Sequence, residues 1–433
     1  MNSIETIRDC YGCGVCAVIC PRSREHCDPQ PVVAIRHDEK GFYRPFVDNK
    51  EKCTDCGLCL SVCAFVRGRG ARGEGIGNRE KGGIVGRIGT PGSKAAGGNR
   101  ENVKTESLSP LEKPLSPHPV AYAAWSNDEQ TRRLCSSGGI GFEIAGQLLE
   151  QGYKVCAVRY NVEKHRAEHY IATTVKELSP SIGSKYIQSY TVDALKQINK
   201  KDRYVFIGTP CQVDSVRRYA RQLKIEDNFI FMDFFCHGVP SMLLWKKYLK
   251  EAEKRMGCGS QCSLPGKITS VSWRNKSAGW HDSYVVDVNE ESSRFSRGDL
   301  FFKFFLSDSC LGEACYRCDY KYDKSAADIR IGDLWGKKYR DNEEGVSALI
   351  ALTPKGDDVV RNLRDCTLIR EPFEIAAEGQ MKRSPKRPVY YRLVLRLLRS
   401  KLSLKAIYYP VVWVLRAELL RTIVKFLLKK VGK

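Results

Sequence analysis

Residues 204–240 read YVFIGTPCQVDSVRRYARQLKIEDNFIFMDFFCHGVP and decide the fold of the central part of the chain. Tyr204 to Gly208 and Phe229 to Phe235 are short apolar runs that predict buried strands, and Gln212 to Leu223 between them has the spacing of a helix. A strand, a helix and a strand in this order are typical of an α/β unit. Ligands of open α/β sheets bind at the carboxyl ends of the strands.

The same alternation continues on both sides of this unit. The predicted elements are a strand at Ala121 to Trp125, a helix at Ile140 to Glu150, a strand at Tyr153 to Tyr160, a helix at Val192 to Ile198, a helix at Ser241 to Arg255 and an antiparallel strand at Ser283 to Val288. Pro240 stands at a natural helix start. We therefore predict an α/β core, with a mixed sheet flanked by helices, over residues 120–380.

Two cysteines follow the two central strands. Cys211 comes just after the first strand and Cys236 just after the second. If the strands are parallel neighbours, about 4.8 Å apart, the two thiols are close enough to share a metal cluster. Cys315 and Cys318, in ACYRC, are available to complete the site. The alternative is that Cys211 and Cys236 are small buried hydrophobic residues, as free cysteines often are.

The N-terminal region contains two cysteine quartets with one spacing, C-x-x-C-x-x-C-x-x-x-C. They are Cys10, Cys13, Cys16 and Cys20, and then Cys53, Cys56, Cys59 and Cys63. Bacterial ferredoxins that hold two [4Fe–4S] clusters use this spacing, and the fourth thiolate binds the other cluster. We therefore assign Cys10, Cys13, Cys16 and Cys63 to one cluster, and Cys53, Cys56, Cys59 and Cys20 to its partner. A disulfide framework or a zinc site fits two such quartets less well.

Length, cysteine content and charge narrow the class of protein. A chain of 433 residues has room for two or three domains. Nineteen cysteines and an N-terminus without an apolar signal segment lead us to expect a cytoplasmic protein. The net charge is +21, but residues 382–433 alone contain fifteen basic residues and one acid, Glu418. Because no zinc-finger or helix-turn-helix pattern appears, we expect no nucleic-acid partner.

Residues 67–119 are rich in Gly, Arg, Lys, Ser and Pro and contain no aromatic residue. Such a segment buries too little apolar surface to fold alone, so we predict a flexible linker. It would join the α+β ferredoxin-like domain, residues 1–66, to the core. The alternative is a glycine-rich phosphate loop, but the pattern G-x-x-x-x-G-K-S/T is not present.

Residues 381–433 are predicted to form a basic, amphipathic, helical tail. One apolar face is lined by Leu415, Leu419, Leu420, Ile423, Val424, Leu427 and Val431. The longest uncharged apolar stretch, Ala406 to Leu415, is too short to span a bilayer. We expect the tail either to lie on an anionic membrane surface, which would make the protein peripheral at the inner membrane, or to pack on the core or a partner subunit.

Five segments together resemble the beta-subunit family of coenzyme F420 hydrogenases and dehydrogenases. In chain order they are SSGGI at 136–140, GSKY at 183–186, GTPCQV at 208–213, CHGVPS at 236–241 and ADIRIGDLWG at 327–336. The resemblance implies an oxidoreductase that passes electrons between iron–sulfur clusters and a hydride donor or acceptor, coenzyme F420 or another carrier. It also implies a third [4Fe–4S] cluster at Cys211, Cys236, Cys315 and Cys318, with Cys310 as a competing ligand.

A flavin, FAD, is the further cofactor that the resemblance implies, because clusters move single electrons whereas hydride carriers move two. The implied binding residues are Ser136, Ser137, Gly138 and Gly139, before a helix N-terminus suited to phosphate, and Gly183, Ser184, Lys185 and Tyr186. For SSGG the alternative is a simple helix cap, and for Lys185 a solvated side chain. His237 is either a proton donor or a structural residue. No catalytic residue is assigned.

Three features depart from the relatives. Cys135 stands where relatives tend to carry serine, Cys63 is followed by Ala64 instead of proline, and the linker is long. Electrical contact between the N-terminal domain and the core therefore depends on docking. The remaining cysteines have no assigned site: Cys258 and Cys262 are a loop pair, and Cys27, Cys156 and Cys366 are ordinary thiols.

These patterns together predict a cytoplasmic iron–sulfur flavoprotein oxidoreductase with a redox partner protein or a hydride carrier. Two alternatives belong to other classes. A non-catalytic electron-transfer subunit would contain clusters without flavin, and an accessory protein of glycan modification would contain structural, redox-inert clusters.

Overall fold

The computed structural model of the chain describes residues 4–7, 9–23, 31–66, 119–257 and 267–411. The predicted linker, apart from its last residue, lies outside these ranges. So do Cys27, Cys258, Cys262 and the tail from residue 412 onward. The predictions made for those residues stay predictions.

The N-terminal unit consists of two short helices and a hairpin. Its elements are α1 (Val15–Ile19), β1 (Val33–His37), β2 (Tyr43–Val47) and α2 (Leu58–Ser61). The strands are antiparallel, with Val33 opposite Val47. Gly14 and Gly57 precede the helices with φ angles of 76° and 73°, which glycine adopts without a steric cost. These turns lead each cysteine loop directly into its helix.

The described core contains twelve strands. They are β3 (Val120–Ser126), β4 (Tyr153–Asn161), β5 (Arg166–Ala172), β6 (Ser189–Tyr190), β7 (Arg203–Ile207), β8 (Phe229–Phe234), β9 (Val271–Trp273), β10 (Val285–Val288), β11 (Glu291–Arg294), β12 (Ile329–Asp333), β13 (Ser347–Ala351) and β14 (Cys366–Glu371). Strands β9 to β11 form a small antiparallel sheet. The others form one sheet of nine strands.

The order of the large sheet is β14-β3-β13-β12-β8-β7-β4-β5-β6. Strands β12, β8, β7 and β4 run parallel, whereas β14, β3, β13 and β5 pair antiparallel. The sheet is therefore mixed, as predicted for the core. Strands β7 and β8 are parallel neighbours, with Tyr204 opposite Phe229. Both are apolar and mostly buried, as central strands covered on both faces should be.

Eleven further helical segments lie in the described part of the core and tail. They are α3 (Glu129–Leu134), α4 (Ile140–Glu150), α5 (Val175–Leu178), α6 (Val192–Leu195), α7 (Pro210–Gln222), α8 (Met242–Gly257), α9 (Leu300–Leu306), α10 (Pro354–Arg361), α11 (Phe373–Ala376) and α12 (Tyr391–Leu398), and residues 404–411 are also helical. Helix α6 is shorter than predicted because the N–H groups of Gln197 and Ile198 bond to carbonyls three residues earlier, which ends the α-helical pattern.

The described part of the tail packs on the core. Helix α12 buries Tyr391, Val394, Leu395 and Leu398 and lies against α8. Its arginines lie between these apolar positions, so this helix is amphipathic. Within the described ranges, no helix combines the length and apolarity needed to cross a bilayer.

The N-terminal unit packs directly against the core. The N–H of Tyr43 donates to Gln188 Oε1 at 2.7 Å, and Gln188 Nε2 donates back to the carbonyl of Tyr11. The N–H of Met242 donates to the carbonyl of Gly41 at 2.9 Å. In the described structure the N-terminal unit is therefore docked on the core, as electrical contact between the two requires.

Candidate functional site

Four cysteines of the core gather at the carboxyl ends of β7 and β8. Cys211 lies in the first turn of α7, whose N-terminus is capped by Thr209, and Cys236 follows β8. Cys315 lies in a short 3-10 helix and Cys318 comes directly after it. The hydroxyl oxygen of Thr209 is 3.3 Å from the sulfur of Cys211.

The four core thiols influence one another's ionisation. Burial raises the pKa of Cys211, and the thiols of Cys318, Cys236 and Cys315 raise it further. Burial also raises the pKa of Cys315 to about 12, and the pKa of Cys236 to about 11. Buried thiolates repel one another unless a cation compensates them. The donor set therefore fits a metal cluster that carries positive charge into this site.

A second thiol group lies inside the N-terminal unit. Burial raises the pKa of Cys16, and Cys13, Cys10 and Cys63 raise it further. Burial raises the pKa of Cys63 to about 12, and Cys13 and Cys10 again add to the effect. The N–H of Gly12 donates to the sulfur of Cys10 at 3.2 Å, a contact that also stabilises a thiolate.

The third thiol group lies at the surface of the same unit. Burial raises the pKa of Cys59, and the thiols of Cys20, Cys56 and Cys53 raise it further. Cys53 and Cys56 are exposed to solvent. The pKa influences thus follow the two sets of four of the crossed assignment, although Cys59 also raises the pKa of Cys16. The binding of clusters by these sets stays a prediction.

None of these groups has the geometry of a single-ion site. In the part of the chain that the structure describes, no three His, Cys, Asp or Glu side chains close around one point as the ligands of one metal ion do. A four-iron cluster binds each thiolate through a different iron atom, so its ligands stand farther apart.

A cavity of about 420 Å³ opens beside the core thiols. Its lining includes Tyr11, Ser136, Ser137, Gly139, Gly183, Ser184, Lys185, Tyr186, Cys236 and His237. The volume is typical of small-molecule and cofactor sites. Gly138 lies outside the lining, where an added Cβ would come within 2.4 Å of the Ala124 carbonyl oxygen. The two loops predicted for flavin therefore border one cavity.

Hydrogen bonds join the two loops at the cavity. The N–H of Ser184 donates to the hydroxyl of Ser136 at 2.9 Å, and the two hydroxyl oxygens are also 2.9 Å apart. Gly139, with φ of 86°, turns the first loop into α4. Because Gly139 and Ile140 line the cavity, the free N–H groups of the α4 N-terminus lie at its wall.

Lys185 shapes its own loop. Its ammonium donates to the carbonyls of Pro180, Ser181, Ile182 and Gly183 at 2.8 to 3.1 Å. Burial lowers the pKa of Lys185 to about 7, and the Cys135 thiol opposes this effect. These contacts hold the GSKY loop in place, and a contact with a flavin phosphate or ring stays a prediction.

His237 lies on the cavity wall next to Cys236. Its Nε2 is 2.8 Å from a carboxylate oxygen of Asp308, and its ring packs on Phe305 with centroids 4.8 Å apart. A carboxylate partner fixes the orientation of the imidazole. Asp308 and Phe305 therefore hold the His237 ring at the wall of the cavity, and a role as proton donor stays a prediction.

Tyr11 connects the N-terminal unit with both core features. It stands between Cys10 and Cys13 in the chain, its side chain is buried, and it lines the cavity. Burial raises its pKa, the thiols of Cys211, Cys236 and Cys315 raise it further, and a hydrogen bond with Thr209 opposes them. One side chain thus reaches from the N-terminal cysteine loop to the core thiols.

Two family models match the core of the chain. Residues 121–196 match the model described as coenzyme F420 hydrogenase/dehydrogenase, beta subunit N-term, and residues 201–372 match the corresponding model for the C terminus of that beta subunit. Together they cover more than half of the 433 residues.

The chain belongs to the coenzyme F420 hydrogenase/dehydrogenase beta-subunit family. This confirms the resemblance predicted from the five motifs. It also confirms the prediction that the chain is an oxidoreductase of that type. The two N-terminal cysteine quartets lie outside both matched ranges.

A solved structure is also similar to this member of the family. The xenon-derivatised F420-reducing [NiFe] hydrogenase complex from Methanosarcina barkeri contains a chain that shares 16% identity, with a TM-score of 0.42 over 67% of this chain and 90% of that chain. No curated protein matches the sequence significantly.

Sequence reasoning missed Arg274, which organises the cavity wall of this family member. Its side chain is fully buried and pairs with Asp333, and it also donates to the Tyr186 hydroxyl and the Ser136 carbonyl at 3.0 Å. Burial alone would lower the pKa of Arg274, but the Asp333 carboxylate overrides this and raises it. Of the pair, only Asp333 stands in a motif, ADIRIGDLWG. Arg274 and Asp333 are far apart in the sequence, so no pattern marks them as partners.

The other described cysteines stand apart from the core set. Burial raises the pKa of Cys310 to about 12, and the opposing influence is the Ser241 amide. Cys310 therefore lies outside the four thiols that influence one another. Cys135 lines the cavity, where burial raises its pKa to about 11 and Lys276 opposes the effect. Cys156 is buried and Cys366 is partly buried.

Proposed function

We propose that this protein is an iron–sulfur flavoprotein that relays electrons between an N-terminal ferredoxin-like domain, residues 1–66, and a hydride donor or acceptor in the core cavity. The proposed cluster ligands are Cys10, Cys13, Cys16 and Cys63; Cys53, Cys56, Cys59 and Cys20; and Cys211, Cys236, Cys315 and Cys318. FAD is proposed for the cavity, and coenzyme F420 or another two-electron carrier for the hydride partner.

Clusters carry single electrons and a flavin exchanges one or two, so together they link one-electron proteins to hydride carriers. The chain's own residues supply binding, orientation and shielding. Four buried thiols at the ends of β7 and β8 supply the donors for a cluster beside the cavity, as their mutual effect on pKa supports.

The position of the Tyr11 side chain is the observation that supports the proposal most directly. The backbone of Tyr11 belongs to the first N-terminal cysteine loop, whereas its side chain lines the core cavity close enough to Thr209 and the core thiols for them to act on its pKa. Gln188 holds this contact in place by accepting from the Tyr43 N–H and donating to the Tyr11 carbonyl. A direct, buried contact of this kind is what a relay between the two units needs.

The different exposure of the thiol groups supports separate binding places for a one-electron protein partner and for the hydride carrier. Cys53 and Cys56 are exposed, whereas Cys16 and Cys63 are buried, and so are Cys211 and Cys315 in the core. A one-electron protein partner is therefore proposed to contact the exposed thiol group. The hydride carrier is proposed to use the cavity, where the loops tied by Ser136, Ser184 and Arg274 give a fixed wall.

Anaerobic purification followed by iron, sulfide and flavin quantitation on one sample tests the proposal. We expect about twelve irons, four for each of three clusters, and about one flavin per chain. Cys236→Ala should lose about four of these irons. Cys156→Ala, which removes a buried thiol whose pKa is raised by burial alone, should lose none.

About eight irons without flavin in the wild type would contradict the proposal. That result would favour the non-catalytic electron-transfer subunit, because the N-terminal unit would then be the only redox site. Full cofactor content with clusters that no reductant or oxidant changes would instead favour a structural role.

A further inference from the structure

Ser215 is a fully buried serine whose hydroxyl has no hydrogen-bond partner within the described ranges. It lies on α7, four residues after Cys211, and therefore about 6 Å farther along the helix axis. Its side chain is 0% exposed, and its Oγ forms no hydrogen bond among the residues that the structure describes. A buried hydroxyl without a partner destabilises a protein, so its presence requires a reason.

The Cys13 thiol is a polar group near this hydroxyl, since Cys13 packs against the apolar cluster that contains Val213 and Val216, which lie on either side of Ser215 in α7. Burial raises the pKa of Cys13, and the side chain of Ser215 is close enough to lower it again. The two elements are in direct contact, since α1, which begins two residues after Cys13, packs on α7. Ser215 therefore reaches from a core helix into the N-terminal thiol group.

Thr191 fixes the backbone position of Cys13. Thr191 donates from its hydroxyl to the Cys13 carbonyl at 2.5 Å. A Cβ added to Gly14 would come within 2.6 Å of the same hydroxyl oxygen, so the chain passes very close to Thr191 at this point. Thr191 thus holds the backbone of the cysteine loop at Cys13 and Gly14.

We propose that Ser215 donates a hydrogen bond to the Cys13 sulfur when that sulfur binds a cluster, and thereby raises the reduction potential of this N-terminal cluster from within the core. The inference rests on the proposed function, because it requires a cluster at Cys10, Cys13, Cys16 and Cys63. Hydrogen bonds to cluster sulfurs favour the reduced state, which carries more negative charge.

Helix α7 then serves two sites. Cys211, in its first turn, is a proposed ligand of the core cluster, and Ser215, one turn later, adjusts the N-terminal cluster. Because the hydroxyl is supplied by the core, docking of the N-terminal unit makes its cluster easier to reduce than it would be alone. The contact therefore assigns a redox role to the interface itself.

Ser215→Ala in the full-length holoprotein tests this inference. The readout is a potentiometric titration followed by electron paramagnetic resonance, with the signal of this cluster identified by its loss in Cys16→Ala. We expect the potential of this cluster to fall by about 59 mV, a tenfold change in the reduction equilibrium of a one-electron couple. The potentials of the other clusters should not change.

Ser309→Ala is the matched control. Ser309 is also 0% exposed, and its hydroxyl contacts the Ser307 hydroxyl at 2.6 Å, so its removal should leave all potentials unchanged. Iron content and thermal midpoint establish that both variants are folded and loaded.

The outcomes separate the inference from the proposed function. An unchanged potential in a loaded Ser215→Ala variant would overturn the inference alone. An equal shift in the potential of every cluster would also overturn it, because that would indicate a general structural change. A wild-type protein without any signal that Cys16→Ala removes would overturn the proposed function and the inference with it.

Discussion

Arg274, which is fully buried, and Asp333, which is 19% exposed, form an ion pair in which the two Nη atoms of Arg274 each lie 3.1 Å from a different carboxylate oxygen of Asp333. Trp280 also donates to this carboxylate at 3.1 Å. Because Arg274 reaches the Ser136 carbonyl as well, the pair joins the ADIRIGDLWG segment to a loop that borders the cavity.

Removing the anion from this pair should destabilise the protein strongly. Asp333→Ala leaves the Arg274 guanidinium buried without a counter-charge, which typically costs about 3–5 kcal/mol. Chemical denaturation at neutral pH measures the loss. The control is Asp48→Ala, which breaks the exposed pair with Arg36 and should cost no more than about 1 kcal/mol. Equal costs for the two variants would contradict the importance of the pair of Arg274 and Asp333.

The crossed assignment of the N-terminal cysteines predicts which variants act on the same cluster. Cys20 and Cys56 influence Cys59 together, although they belong to different quartets. Cys20→Ala and Cys56→Ala should therefore each lose about four irons, and the double variant should lose no more than either one. Iron quantitation after anaerobic purification measures this. A loss of about eight irons in the double variant would place Cys20 with its own quartet.

His169 predicts a specific dependence of stability on pH. Its Nε2 lies 3.0 Å from the Ile207 carbonyl, and its Nδ1 is buried with no partner among the described residues. Burial lowers the pKa of His169 from 6.5 to about 4, and the Ile207 carbonyl opposes this effect. The folded state thus binds fewer protons than the unfolded state between these values, so stability is lost as pH falls through this range.

His169→Gln removes this titration and keeps a side-chain donor for the Ile207 carbonyl. Between pH 6.5 and about pH 5, its free energy of unfolding should fall less steeply than that of wild type, by up to about 1.4 kcal/mol per pH unit. Urea denaturation under anaerobic conditions at several pH values measures the slopes. The same slope for wild type and His169→Gln would contradict the prediction.

Tyr11 should stabilise the docked arrangement mainly by packing. Tyr11→Phe keeps the ring and loses only the hydroxyl near Thr209, which should cost no more than about 1 kcal/mol. Tyr11→Ala leaves a cavity between the cysteine loop and the core and should cost about 3–5 kcal/mol, as large aromatic truncations do. Denaturation of the loaded proteins compares the two. A Tyr11→Ala variant as stable as Tyr11→Phe would show that the side chain is not packed at this interface.

Short-range patterns explain the parts of the fold that could be predicted. Helix α4 has the predicted bounds because Gly139 starts it and an apolar face sustains it. Strands β7 and β8 could be predicted because both are apolar runs bounded by turn residues. Their parallel pairing places Cys211 and Cys236 at one edge, as the strand pattern predicts. The family resemblance assigns Cys315 and Cys318 to the same set, and their role as ligands stays a prediction.

Contacts between distant segments account for what could not be predicted. Arg274 lies 59 residues before Asp333, and no spacing in the sequence marks the two as partners. Lys185 could not be predicted to bond to its own loop, since that depends on how residues 180–183 fold back. Docking of the N-terminal unit depends on Gln188 and Tyr11, which are 177 residues apart.

Flavin reduction by a one-electron donor tests the proposed relay most directly. Stopped-flow mixing of the loaded wild-type protein with a reduced ferredoxin should bleach the flavin absorbance, and Cys56→Ala, which removes a ligand at the exposed thiol group, should slow this at least about tenfold, or about 1.4 kcal/mol in barrier. Cys156→Ala should react at the wild-type rate. Equal rates for Cys56→Ala and wild type would contradict the account, because electrons would then reach the cavity without the N-terminal unit.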